Sequence, residues 1–519
     1  MYGTTKAAHT KGTAVRHIGI LFNNYFAPQP GSELYFQIAR DTAKAYDEGG
    51  FQIIYLDALD GNRRTVKNKD LVWYYDAIFV REILRNIKTD APLLEYSTMH
   101  SSLWGARSRM GAWDTPCRGF IQFLNMHIAE NNKSANKRFL PGQLGWMELC
   151  PSAARITLPN FQRRYFYPEE IEYMGTKALA WNQGMSYRDI SLQRVKPGAI
   201  AASKTMKTLD DLRRQKYFKE STLKVLREPR KFFSLQNDDG KWFFRQAQYP
   251  AEKFIGSKNI AVVDNEFAAQ KPTLRIENLY AVDPYNSEQG IELIAFDETK
   301  VPQKQTTVKF EDDNLLDLRK TLGMGMWIYG DAKGQVVNVC VQSPHYLFSG
   351  IAEHFFKIDF TGWKYIVWAE AETGMYPDVS WPIQIDAHAY TRFSNHVRYD
   401  KISRVDVMVN GDPTGLKFRS LKALPVAKST LTNPKVTLGG STLSFSGSIP
   451  NGCWMQYTGG DKVPVFNFRG EILSEMTVSG TMPEFKQGEN NVTIESTSAE
   501  GFDAPRSFWT WGFLGDKVE

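Results

Sequence analysis

The sequence predicts a multidomain chain of mixed class, a (β/α)8-type barrel that lacks its first strands followed by two β-sandwich domains. Three observations carry that expectation. At 519 residues the chain exceeds an ordinary single domain. From about Arg16 to Ile190, short apolar runs alternate with longer amphipathic ones, the pattern of consecutive βα units around a parallel sheet. From Phe232 onward helical periodicity all but vanishes, and short alternating strands recur between Gly, Asp and Asn turns, as in sandwiches and jelly rolls. The expected domains are a barrel over 1–230, a jelly roll over 231–426 and a small sandwich over 427–519.

The elements follow in order. HIGILFNNYF (17–26) reads as the first strand. A helix then runs from Ser32 to about Glu48, and Gly49–Gly50 stops it. FQIIYLDALDG (51–61) is the second strand with its loop, followed by a helix from about Asp70 to Ile87 and the strand PLLEYSTM (92–99). A long loop, SSLWGARSRMGAWDTP (101–116), leads to a helix over about 118–130. GQLGWMEL (142–149), the helix YPEEIEYMGTKALAWNQ (167–183) and GMSYRDI (184–190) complete five units. A closed barrel needs eight units in about 250 residues, so either the first strands are absent from this chain or the sheet is open. The charged helix TMKTLDDLRRQKYF (205–218) closes the region. KWFFRQAQY, TLRIENLYAV, VVNVCVQS and KYIVWAEA are strands of the second domain, and a shift of texture near 424–435 opens the third.

Composition excludes several partners. Sixty-three Lys and Arg against 57 Asp and Glu give a formal charge of +6 without a long basic block, so no nucleic acid is expected. Cys117, Cys150, Cys340 and Cys453 stand apart without CxxC or Cys/His spacing, and His100 and His127 lack a ligand partner. No metal and no cofactor is expected. No apolar run approaches the ~18 residues of a membrane span, and the first residues carry no visible export signal. Aromatic content of 13% suits either ordinary core or sugar-stacking clefts.

In α/β barrels, functional groups sit at the C-terminal ends of strands. Asp57 ends an apolar strand, with Asp60 in the loop behind it, and Glu95 lies on the next strand, so two carboxylates are expected at one mouth. Glycoside hydrolysis needs such a pair, one group donating a proton and the other attacking or activating water. Asp57 has a plainer reading as a loop cap. Asp114 is either a general acid or the N-cap of the helix behind Pro116. Arg107 and Arg109 would grip an acidic sugar or pair with neighbouring acids. Trp104, Trp113 and Trp146 are expected subsite platforms, with Glu148 beside Trp146, whereas Trp181 is assigned to core. In the second domain Trp327, Tyr329, Trp363 and Trp381 are either a carbohydrate platform or sandwich core and interdomain packing, and strand alternation favours core for at least half of them.

The runs IIYLDALDG, LLEYSTMHSSLWGARSRMGAWDTP, FLPGQLGWMEL and EEIEYMGTKALAWNQGMS resemble the barrel of uncharacterised bacterial proteins similar to glycoside hydrolases. The likeness extends through LREPRKFFSL and GKWFFRQAQY. It takes in 325–368, which is similar to a galactose-binding-like jelly roll, and the terminal sandwich. The resemblance implies that Asp57 is comparable to the nucleophile of retaining α-glycosidases, with Asp114 or Glu148 as acid/base and Glu95 as a hydroxyl ligand. It also implies secretion or a periplasmic location. The expected function is therefore a two-carboxylate glycoside hydrolase acting on a poly- or oligosaccharide. The alternatives are a non-catalytic carbohydrate-binding or scaffolding protein and a polysaccharide lyase using Tyr96, His100 and Arg107.

Overall fold

The computed structural model describes residues 19–22, 25–56, 65–96, 167–187, 197–282, 290–311, 314–344, 350–369, 397–467, 470–500 and 505–518, with short pieces at 59, 103, 109–110, 114–115, 124–125, 128 and 143–147. The chain divides into two compact units, 1–112 with 134–143, and 113–133 with 144–519.

In the first unit, β1 (Gly19–Phe22) pairs antiparallel with β2 (Tyr25–Ala27). Helix α1 (Glu33–Gly49) starts where Ser32 Oγ accepts the Tyr35 N–H at 3.3 Å and stops at Gly50, whose left-handed φ of 63° is readily available to glycine. β3 (Ile53–Leu56), α2 (Val72–Asn86), β4 (Leu93–Tyr96) and β5 (Arg109–Met110) follow. β3, β4 and β5 form a parallel three-stranded sheet. Ala39 and Ala43 of α1, Val80 and Ile83 of α2, and Ile54, Leu94 and Tyr96 of the sheet share one core. The two helices each bury a single stripe, as their apolar spacing dictates.

The second unit begins with β6 (Asp114–Thr115), β7 (Gln143–Met147), α3 (Pro168–Ala180), β8 (Gly184–Tyr187), α4 (Pro197–Arg214) and α5 (Glu220–Leu226). β6, β7 and β8 form a separate sheet. These observations overturn the expected barrel. Among the described residues strands take 46% and helices 22%, and the strand signals before residue 190 fall into three small sheets. The first of those signals splits into an antiparallel pair instead of joining β3. A βα pattern reports local periodicity, whereas closure depends on pairing between distant strands.

The remainder is antiparallel. β9 (Phe232–Asp238), β10 (Lys241–Gln248), β11 (Ala251–Ile255), β12 (Lys258–Asn265) and β13 (Thr273–Asn278) come first. After β14 (Ala281–Val282), a smaller sandwich is built from β15 (Ile291–Ile294), β16 (Gln305–Lys309), β17 (Gly323–Asp331), β18 (Val336–Ser343), β19 (Gly350–Lys357), β20 (Thr361–Trp368), β21 (Arg404–Asn410), β22 (Lys417–Phe418) and β23 (Leu421–Leu424). One sheet runs β15-β23-β17-β20 with β22 also on β17, and the other runs β16-β21-β18-β19. Their inward residues, among them Met324, Met326, Ile328, Val337, Val339, Val405 and Val407, form one core.

β24 (Val426–Ala427) then pairs antiparallel with β14, bringing entry and exit of the small sandwich together. β25 (Leu431–Leu438), β26 (Ser441–Ser446), β27 (Ser448–Ile449), β28 (Trp454–Tyr457), β29 (Lys462–Phe466), β30 (Ile472–Gly480), β31 (Gly488–Ser498) and β32 (Arg506–Val518) complete the chain. They join β9–β13 in a sheet ordered β12-β31-β25-β26-β30-β29-β28-β13-β32-β10-β9, with β11 also on β32. Residues 232–278, which the sequence groups with the jelly roll, thus hydrogen-bond to strands beyond 427. The smaller sandwich is an insertion in the larger one, whose core holds Leu274, Ile276, Val436, Val492, Trp509 and Trp511.

Alternation on β13 explains how α3 docks. Leu274 and Ile276 face the core, so Arg275 and Glu277 face outward, where the first turn of α3 covers them. Arg275 pairs with Glu169, both side chains being at most 7% exposed. Its guanidinium carbon lies 3.5 Å from the centroid of the Tyr167 ring, whose hydroxyl donates to Glu277 at 2.7 Å. One turn on, Glu172 accepts the Leu235 N–H at 3.1 Å and the Ser234 hydroxyl at 3.3 Å. Burial pushes its carboxyl from 4.5 up to about 7, against those hydrogen bonds and with added repulsion from Glu169.

This shift has a signed consequence. The folded state holds the Glu172 proton more tightly than the unfolded state, so stability falls as pH rises between 4.5 and about 7, and the full penalty stands above that window. Glu172→Gln keeps the acceptor and removes the titration. The variant is expected to be more stable than the parent at pH 8, by on the order of 2 kcal/mol after allowance for residual solvent screening, and equal to it at pH 4. Urea unfolding at both pH values measures this, and an unchanged difference between them would contradict it.

Candidate functional site

The sequence GMGMWIYGD of β17 sends Met324, Met326 and Ile328 into the sandwich core. Period-two alternation must then place Gly325, Trp327 and Tyr329 on the opposite face. The neighbouring edge strand β20 matches this register, with Tyr365 opposite Trp327 and Trp363 opposite Tyr329. The two cross-strand pairs have ring centroids 5.2 and 5.6 Å apart, the first tilted and the second edge-to-face. Tyr329 is 37% exposed, and Trp327, Trp363 and Tyr365 are part-buried.

Gly325 makes room for this arrangement. A Cβ there would lie 2.2 Å from the Tyr365 hydroxyl oxygen and 2.6 Å from Leu424 Cδ1.

Two cations join the rings from the other side of β17. β22 places Lys417 opposite Tyr329, with its Nζ 5.7 Å from the ring centroid. The Arg419 N–H donates to the Trp327 carbonyl at 3.0 Å, and the guanidinium carbon of Arg419 lies 4.4 Å from the Trp363 centroid. Arg419 Nε also donates to Glu298 Oε2 at 2.6 Å. The result is a partly exposed aromatic strip flanked by two positive charges, a surface suited to stacking on apolar C–H faces and to polar contacts at its margin. Pairing gives the face its shape, because each aromatic residue is held by its strand register.

Asp406 is fully buried and accepts from Arg404 Nε at 2.7 Å, Arg404 Nη2 at 2.8 Å, Gln305 at 3.1 Å and Gln342 at 3.2 Å. Those bonds commit it to holding β16, β18 and β21 in register. Among the described residues no group of three His, Cys, Asp or Glu could hold a metal, and no helix is long and apolar enough to cross a membrane.

The residues singled out in the first region are placed unevenly. Glu95 lies on β4, 2% exposed, beside the fully buried Tyr96. Arg109 is on β5, Asp114 on β6 and Trp146 on β7 by backbone. Asp57, Asp60, His100, Trp104, Arg107, Trp113, His127, Glu148 and Trp381 lie outside the described residues. The side chains expected to pair with Glu95 therefore lie outside the described residues. Trp181 packs partly buried against the core of α3, with Arg227 over its ring at 5.1 Å. Sequence reading missed Tyr365, Lys417 and Arg419. Tyr365 could have been found from the outward phase of GWKYIVW, but the two-residue strand carrying Lys417 is too short to show a period.

No family model and no curated protein matches the chain. The likeness to glycoside-hydrolase-like proteins thus gains no support from these comparisons. Among solved structures, a protein described as secreted from Parabacteroides distasonis is similar at 8% identity, with 51% of this chain and 93% of that chain covered and a TM-score of 0.13. Peanut lectin with a nine-residue peptide is similar at 9% identity, with 50% and 99% covered and a TM-score of 0.08. Both scores are too low to carry an argument about fold or function.

Proposed function

We propose that the chain is a non-catalytic carbohydrate-binding protein, and that the outward face of β17 and β20 is its glycan platform. The observation that carries the reading is the phase of three aromatic residues. Trp327, Tyr329 and Trp363 occupy the outward register positions of a sheet whose inward positions fill the core without them. An outward, partly exposed aromatic cluster costs apolar solvation unless something covers it. A pyranose ring, apolar on its C–H face and hydroxylated at its rim, has the chemistry to do so. A hydrolytic reading would need two carboxylates across a cleft, and of the carboxylates singled out for it only Glu95, 2% exposed, has a described side chain.

Affinity electrophoresis of the full chain through gels containing neutral and charged polysaccharides tests the reading. Retardation by at least one polysaccharide, with no release of reducing ends during prolonged incubation, is the expected result. Unretarded migration in every gel would overturn it, and turnover of a retarding polymer would overturn the non-catalytic part.

A further inference from the structure

The flanking charges carry the reading further. Lys417 sits over the Tyr329 ring and makes no ion pair among the described residues. Arg419 uses only Nε toward Glu298, and its two Nη groups make no hydrogen bond among the described residues. A guanidinium with its planar fork uncommitted is matched to a bidentate oxyanion. Both cations sit at fixed register positions, Lys417 opposite Tyr329 and Arg419 hydrogen-bonded to the Trp327 backbone, so the sheet keeps their backbones beside the rings. Glu298 neutralises part of the Arg419 charge, but that pair is about half exposed, 48% and 49%, and screened by solvent.

We infer that the face binds anionic glycans, the rings stacking on sugar C–H surface while Lys417 and Arg419 engage carboxylate or sulfate groups. The inference rests on the proposed glycan platform and narrows it to a substrate class.

Two matched pairs of polymers separate the charge from the sugar: polygalacturonate against its fully methyl-esterified form, and dextran sulfate against dextran. Titration calorimetry of the full chain is expected to show binding to the charged member of at least one pair, at least about tenfold tighter than to its neutral partner and weakening as salt rises. Polygalacturonate alone would identify carboxylate as the group read, and dextran sulfate alone would identify sulfate. Lys417→Gln with Arg419→Gln is expected to remove that preference, and Lys417→Arg with native Arg419 to retain it. Equal affinity within both pairs, binding of neutral members alone, or an unchanged preference in the double Gln variant would overturn the inference and leave the glycan platform standing. No binding to any of the four would overturn the inference, while retardation by a neutral polysaccharide in the affinity gels would still sustain the platform.

Discussion

Arg275→Met is expected to lower the stability of the second unit by about 3–5 kcal/mol, the usual cost of removing one partner from a buried ion pair. The substitution keeps much of the aliphatic bulk and strips the charge. It leaves the Glu169 carboxylate, 6% exposed, without its guanidinium, and it ends the donation to Thr510 Oγ1 at 3.3 Å. The stacking over Tyr167 goes with it, loosening the first turn of α3 on β13. A urea titration should show a lower midpoint with little change of slope. Adding Glu169→Leu should recover part of the loss, because two apolar residues replace a broken charge pair. A double variant as unstable as the single one would show that packing, not the orphaned carboxylate, sets the cost.

Lys177→Met is expected to be comparably damaging, by about 3 kcal/mol or more, because one buried and two part-buried acceptors lose one donor together. Lys177 is 1% exposed on α3, and its Nζ donates to the carbonyls of Leu226, Glu228 and Lys231 at 2.7, 2.5 and 3.2 Å. The first of these ends α5, so the ammonium satisfies orphan groups that a helix terminus leaves behind. Burial pulls the ammonium from 10.5 down to about 7, with Glu228 pulling the other way. Methionine fills the space between Tyr173 and Phe233 but cannot donate. Limited proteolysis should then cut after α5 sooner than in the parent, and unchanged protection would count against this role.

Local structure was largely legible in the sequence. Ser32 and Gly50 mark the ends of α1 because a cap acceptor and a left-handed stop are short-range requirements, and the strand over 93–96 and the helix over 168–180 fall inside their predicted ranges. Pairing partners were not legible. TLRIEN announces a strand with Leu274 and Ile276 on one face, yet nothing in it says that its neighbours are the strands 454–457 and 506–518. The expected barrel failed for the same reason: the strands over 53–56 and 93–96 and the helix over 72–86 form within their expected ranges, but the first signal splits into an antiparallel pair and the described sheets do not join. At the site, Trp327, Tyr329 and Trp363 could be named from sequence, but alternation favoured core for at least half of that set with Trp381, whereas these three all face outward. Their phase relative to Met326 and Ile328 settles that only once register is known.

The most direct measurement of the central claim is the affinity of the full chain for a retarding polysaccharide before and after Trp363→Ala, with Ile472→Ala as a control at an exposed apolar residue of the larger sandwich. Loss of a stacking ring is expected to weaken binding at least about tenfold, roughly 1.4 kcal/mol, with the unfolding midpoint nearly unchanged. Ile472→Ala should bind as the parent does. Parent-like affinity in Trp363→Ala would contradict the account.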